Sequence, residues 1–410
     1  MSHMIERSLR AAEVVLLCAV LGAAAVVRTR AIDQDTDWTP SIAPTERVTV
    51  LRVPHGGIQP QTALDEKGIL HLIYFAGDPS HGDLYYVHSA DAGASFSDPI
   101  PVNHEPGNAI AVGNVRGAHL AIGRSRRVHV AWNGSRALPA DAASPTDRRV
   151  PMLYTRINDA GTAFEPERNL IQASYGIDGG GAVAADRAGR VYVFWHAPEA
   201  GLTGEENRRV WMARSSDEGR TFERERPALA RPTGACGCCG MGALADRRGG
   251  LYVLFRSATE MVHRDIYLLT SADGGDHFQG ANIAPWNVGA CVMSTESFSE
   301  SPAGVLAAWE QTGQVHYGLI NPQTNALTAS VAAPGEGTMR KHPVVVSNRT
   351  GEILLAWTEG MAWQKSGALG WQVFDATGHA QGESMRASGV PVWSLVSAFV
   401  RPDGRFTIVY

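Results

Sequence analysis

Four cysteines carry the most distinctive chemistry in this chain of 410 residues. Three crowd into Gly234-Ala235-Cys236-Gly237-Cys238-Cys239-Gly240-Met241, and the fourth stands in Ala290-Cys291-Val292-Met293. Sulfurs so placed can pair as disulfides, hold a soft metal or act as redox thiols. With Cys18 set aside in the N-terminal apolar run, an even count of four in an exported protein favours two disulfides. The pairings are 236–238 with 239–291, 236–239 with 238–291, or 238–239 with 236–291. With Met241 and Met293 nearby, the same sulfurs suit copper as Cu(I), or zinc without the methionines. The segment reads as C-x-C-C and not as the C-x-x-C pair of structural zinc. Nothing else in the sequence requires a cofactor.

A second set of candidate side chains is polar: Arg52, Arg116, Tyr175, Asp178, Arg256, Glu310, Arg340 and Glu359, with Asp78, Asn133, His196 and His342. Gathered on one face, arginines, acids and histidines suit an anionic or polyhydroxylated ligand. Taken singly, each also reads as a solvated loop residue or a structural hydrogen-bond partner. Asp178-Gly179-Gly180-Gly181 is no phosphate loop, because no Lys-Ser/Thr follows it.

Repetition is what could gather them. A turn ending in Gly, then five apolar residues closing on an aromatic, recurs as His71–Phe75, Val128–Trp132, Val191–Trp195 and Leu251–Phe255. It returns as Val305–Trp309, Ile353–Trp357 and Phe406–Tyr410, at intervals of 48 to 63 residues. Each run is short and rich in β-branched and aromatic residues, as a buried strand is. Several follow an Asp/Asn-x-x-Gly turn, whose side chain can hold backbone amides while Gly supplies positive φ. Such a period, with several strands per unit, predicts an all-β propeller of four-stranded blades. Seven repeats predict seven blades rather than six. The early strand Val48–Val53 is free to close the last blade and remove an exposed edge. The same phasing puts Asp78, Asn133, His196, Arg256, Glu310 and Glu359 just past their strands, on one face.

A second motif, S-x-D-x-G-x-x-F, fits Ser89–Phe96, Ser215–Phe222 and Ser271–Phe278, and Ile157–Phe164 except for its first residue. Asp caps the turn, Gly takes the left-handed position and the aromatic plugs the gap between sheets. Losing one such acceptor, Asp91, Asp217 or Asp273, is expected to cost about 1–3 kcal/mol.

These repeats resemble the Asp-box (BNR) signature of the sialidase-like propellers, over residues 47–410. The resemblance implies a glycan-active or glycan-binding propeller, an exo-glycosidase in the first case, with the boxes on the outer rim away from a central funnel. In that family three Arg grip the sugar carboxylate, a Tyr activated by a Glu attacks the anomeric carbon, and an Asp serves as acid/base. Leu51-Arg52-Val53-Pro54 loosely matches the family's aromatic-Arg-Ile-Pro motif. No segment matches the Tyr and Glu motifs. Sialidases have six blades and need no cysteine cluster, so the chain resembles an atypical subfamily. The alternative is a non-catalytic binding propeller with a copper or disulfide site.

Residues 1–30 read as an export signal or a membrane anchor, and 31–46 as a linker. Arg7 and Arg10 precede an uncharged run from Val14 to Val27, which suits a signal core better than the roughly 20 residues of a spanning helix. Ala23-Ala24-Ala25 offers a cleavage site, whereas Arg28 and Arg30 suit a retained anchor. Either way the folded part is expected outside the cytoplasm, with membrane contact only through this segment. The formal net charge is -5. That charge argues against a general nucleic-acid binder, which needs a basic face.

Overall fold

The computed structural model describes residues 47–135, 150–174, 176–321, 323–328, 330–337 and 339–410. The signal or anchor at 1–30 and the linker at 31–46 lie outside the described residues, as does Tyr175. Among the described residues the chain forms seven sheets, six of four strands and one of three. No described helix is long and apolar enough to cross a membrane.

The recurring apolar runs form the second strand of every blade: Leu70–Asp78, Val128–Asn133, Val191–Pro198, Leu251–Arg256, Gly304–Gln311, Ile353–Glu359 and Phe406–Val409. Their closing aromatics, Phe75, Trp132, Trp195, Phe255, Trp309, Trp357 and Tyr410, are all buried. The Asp/Asn turns work as their chemistry predicts. Asp186 Oδ1 accepts the amides of Ala188 and Arg190 at 2.9 Å each, and Gly189 turns with φ 91°. Asp65, Asp246 and Asn348 hold their own turns in the same way.

Strand direction alternates across each of the six four-stranded blades, which gives the ring two different faces. Turns from inner to second strand and from third to outer strand share the lower face. Hairpins from second to third strand, and loops entering the inner strands, share the upper face. The inner strands enclose a central cavity of about 1040 Å³.

The seventh sheet is closed by Val48–Leu51, as the free early strand predicts. It pairs parallel with Phe406–Val409, however, so this sheet is not a copy of the antiparallel blades. Tyr410 N donates to Leu51 O at 3.0 Å, and Val53 N donates to Tyr410 O at 3.0 Å.

The S-x-D-x-G-x-x-F segments turn between third and outer strands on the lower face. In Ser215–Phe222, Asp217 accepts from Ser215 Oγ at 2.8 Å, Thr221 N at 2.8 Å and Thr221 Oγ1 at 2.7 Å. Asp91 and Asp273 repeat the pattern. The aromatics bridge blades: Phe222 meets Tyr154 of the preceding blade edge-on at 4.7 Å, and Phe164 meets Tyr86 at 5.6 Å. In the copy lacking Ser, Asn158 takes the acceptor role toward Thr162 N at 3.0 Å, and Asp159 pairs with Arg127 instead.

Because the amide and hydroxyl held by Asp217 lie in an exposed turn, we expect Asp217→Ala to cost about 1 kcal/mol, as loss of a helix cap does. That is the low end of the range set by sequence. Urea denaturation checks it. A loss of 3 kcal/mol or more, or a change in ligand affinity, would contradict a purely structural turn.

Candidate functional site on the upper face

The four arginines do not assemble into a carboxylate clamp. Arg52 follows the closing strand at the ring seam. Its Nη1 donates to Gly389 O at 2.6 Å, in the outer strand of the sixth blade, and its guanidinium lies 4.1 Å above the Tyr410 ring. The Arg256 side chain is 0% exposed. Nη1 donates to Arg264 O at 2.8 Å, while Nη2 donates to Glu310 O at 2.6 Å and to Glu310 Oε2 at 3.1 Å. Glu310 also accepts from Gly313 N at 2.8 Å. Burial pushes its carboxyl up, and Arg256 opposes that shift. Arg340 donates to Pro334 O at 2.9 Å and Gln314 Oε1 at 3.1 Å, and its Nε lies 3.8 Å from Glu359 Oε2. Glu359 in turn accepts from Trp357 Nε1 at 3.4 Å. Arg256, Glu310, Arg340 and Glu359 thus tie blades and hairpins together. Arg256 and Arg340, expected from the sequence beside a ligand, spend their donors on these internal partners.

Arg116 and Asp178 behave differently. They sit in the loops entering the second and third blades, and Arg116 grips Asp178 twice: Nη2 to Oδ1 and Nε to the backbone O, both at 2.7 Å. Asp178 Oδ2 lies 3.8 Å from Arg208 Nη2. Next to it, Glu205 Oε2 meets Arg264 Nη2 at 2.6 Å. Gly237 wedges between these groups. A Cβ there would lie 3.0 Å from Asp178 Oδ2, 3.0 Å from Glu205 Oε1 and 3.3 Å from Arg208 Cζ. The result is a row across three neighbouring blades, Arg116–Asp178–Arg208–Glu205–Arg264, in which Arg116 and Arg208 flank Asp178, Glu205 pairs with Arg264, and the two sets meet around Gly237. Its cations are not saturated. Nε and Nη1 of both Arg208 and Arg264 are buried without an acceptor among the described residues. A buried N–H lacking a partner favours any anionic acceptor that reaches it. Glu205, Arg208 and Arg264 were not singled out from sequence. They lie in second-to-third hairpins of unequal length, where the repeat carries no register.

The cysteine turn is built onto this row. Cys236 N donates to Arg256 O at 2.9 Å, Cys239 N to Cys236 O at 3.2 Å, and Gly240 N to Ser294 O at 2.9 Å. Cys238 and Cys291 form a disulfide, while Cys236 and Cys239 are buried thiols. Half of one expected pairing is therefore present, and its other half is reduced. Cys236 and Cys239 stand at C-x-x-C spacing, which the C-x-C-C reading had set aside. The sulfurs of Cys236, Cys238 and Cys239 lie within 4.8 Å of one another, the one such group among the described residues that could hold a metal ion. A hydrogen bond from Cys239 lowers the Cys236 thiol, with help from Arg264. Burial raises Cys239 well above the ordinary range, and its neighbour Cys236 adds to the effect. Glu296, at the cavity wall, is also pushed well up by burial, and neither of its oxygens has a partner.

Two buried histidines set an acid limit on this architecture. Burial pushes His129 and His342 down to about 3. The unfolded chain therefore takes up these protons first as pH falls below about 6.5. The stability they contribute is complete above that value and declines progressively toward pH 3. We expect the urea midpoint to fall between pH 7 and pH 4.5, with a shallower fall in His129→Gln. Equal slopes would contradict a buried neutral His129.

No protein-family model matches the chain, and no curated protein matches it in sequence. Among solved structures it is similar to a protein of unknown function from Dyadobacter fermentans DSM 18053, with 14% identity, 74% of this chain and 91% of that chain covered, and a TM-score of 0.51. It is similar to a PL25 ulvan lyase bound to -[GlcA(1-4)Rha3S]-, with 12% identity, coverage of 86% and 90%, and a TM-score of 0.52. A leech intramolecular trans-sialidase aligns with 10% identity, coverage of 87% and 81%, and a TM-score of 0.49. At these identities the likeness concerns the fold.

Proposed function

We propose that the chain is an extracytoplasmic propeller that binds an anionic glycan on its upper face, at the Arg116–Asp178–Arg208–Glu205–Arg264 row. The observation that carries this reading is Arg208: two of its N–H donors are buried without an acceptor among the described residues, while its Nη2 lies 3.8 Å from Asp178 Oδ2. A uronate or sulfate group supplies planar or tripodal oxygens for such donors. Asp178 and Glu205 can accept from sugar hydroxyls beside it. We favour binding over sialidase-type hydrolysis because Arg256 and Arg340, two of the arginines expected to grip a carboxylate, are engaged internally. Two further features support the reading. The ulvan lyase of similar fold holds a chain of uronate and sulfated sugar. The Cys238–Cys291 disulfide suits an oxidising compartment, as the apolar N-terminal run does.

An array of immobilised oligosaccharides tests the proposal. Uronate-bearing or sulfated chains should retain the protein, and neutral chains of equal length should not. Retention should weaken as salt rises, because part of the attraction is between exposed charges. Indifference to ligand charge would overturn it.

A further inference from the structure

The cysteine turn places a reduced pair and an oxidised pair in contact. Cys236 Sγ lies 3.4 Å from Cys238 Sγ, one sulfur of the disulfide. Cys239 Sγ is within 4.8 Å of both. The two pairs differ in access. Cys236 and Cys239 are buried, Cys238 is half-buried and Cys291 is exposed. Thiol–disulfide exchange needs a thiol within reach of a disulfide sulfur and a leaving thiol that can be released. Cys236 satisfies the first condition and the exposed Cys291 the second.

We propose that the four cysteines form an internal thiol–disulfide relay, which moves one disulfide between the buried Cys236/Cys239 pair and the accessible Cys238/Cys291 pair. In the first step Cys236, as thiolate, attacks Cys238 Sγ. A Cys236–Cys238 bond forms, the Cys238–Cys291 bond breaks, and Cys291 leaves as a thiolate that takes a proton from solvent. In the second step Cys239 gives up its proton and attacks Cys236 Sγ. A Cys236–Cys239 bond forms, the Cys236–Cys238 bond breaks, and Cys238 leaves and takes up a proton. The buried pair loses two electrons and two protons, and the outer pair gains both. No external oxidant enters, since the chain only exchanges isomers of one redox state.

The fold supplies the means. Cys291 stands exposed in the loop entering the fifth blade, which meets the turn through the disulfide, through Gly240 N donating to Ser294 O at 2.9 Å, and through Val292 packed with Cys236 and Cys239. The turn itself is held from below by Arg256 O and Ser294 O. Breaking the outer bond therefore releases the exposed Cys291 thiol while these contacts keep the loop and the blades in place. The outer pair then becomes a surface dithiol, open to a disulfide of small-molecule or protein origin. The inference stands apart from the anion-binding reading and does not need it.

The test uses the full chain, completely reduced, reoxidised with one molar equivalent of oxidised glutathione and quenched in acid. Linkages are then mapped by peptide mass spectrometry. Wild type should yield both Cys238–Cys291 and Cys236–Cys239 linked molecules. Native alkylation with iodoacetamide should label Cys291. Cys239→Ser stops after the first step, so it should accumulate the Cys236–Cys238 bond with Cys291 free. Cys236→Ser should retain only Cys238–Cys291, with labelling of Cys291 at least tenfold slower. Thermal melts of both variants keep misfolding apart from lost exchange. The relay is overturned if wild type gives Cys238–Cys291 alone and Cys291 resists alkylation. It is also overturned if all four thiols hold one metal ion per chain that blocks reoxidation.

Discussion

Arg256→Ala is expected to destabilise the fold by about 3–5 kcal/mol, the cost of removing one partner from a buried ion pair. The side chain is wholly buried, and its donors serve Arg264 O, Glu310 O and Glu310 Oε2. Its guanidinium also lies 5.2 Å from the Trp286 ring. Without it, the Glu310 carboxylate keeps only the Gly313 amide, and two carbonyls lose their donor. Protonation of Glu310 relieves part of this cost, because burial already raises its carboxyl. The loss should therefore be larger at pH 8 than at pH 5, after correction for the wild-type pH profile. Urea denaturation with an unchanged m-value reads it directly. A stable variant with weakened anion binding would return Arg256 to a ligand clamp.

A second large effect is expected from truncation through Leu51. Val48 and Val50 are 3% and 2% exposed, in one core cluster with Ile408 and Tyr410. Burial of two valines contributes about 3–6 kcal/mol. The parallel pairing with Phe406–Val409 would also be lost, exposing that strand as an open edge. The truncated chain should unfold at lower urea and self-associate on concentration. An unchanged midpoint would mean that Val48–Leu51 does not close the ring.

The propeller was legible because its information repeats. Seven aromatic-ended strands and four related turns each specify the same local geometry, and any one could vary without hiding the pattern. Phasing also gave the face on which residues emerge, since position along a strand maps onto height in the ring. It could not give depth. Arg256 and Asp178 reach the same face, yet one is enclosed by the neighbouring blade's Glu310 and the other is half-exposed. That difference depends on contacts between segments about 50 to 60 residues apart, which no local pattern encodes. Glu205, Arg208 and Arg264 escaped notice for a related reason: they lie in hairpins outside the repeat. The cysteines were legible as a cluster but not as pairs. Four sulfurs allow several pairings, and only the path of the turn brings Cys236 against Cys239 while Cys238 reaches Cys291.

Calorimetric titration of wild type and Arg208→Gln with one oligosaccharide in two forms tests the central claim most directly. One form carries its carboxylate and sulfate groups, and the other is carboxyl-reduced and desulfated. A hydrogen bond to a charged group contributes about 1.5–3 kcal/mol. Wild type is therefore predicted to prefer the charged form by about tenfold or more. Arg208→Gln should lose that preference while keeping its thermal midpoint. Equal affinity of wild type for the two forms, or an undiminished preference in Arg208→Gln, would contradict the account.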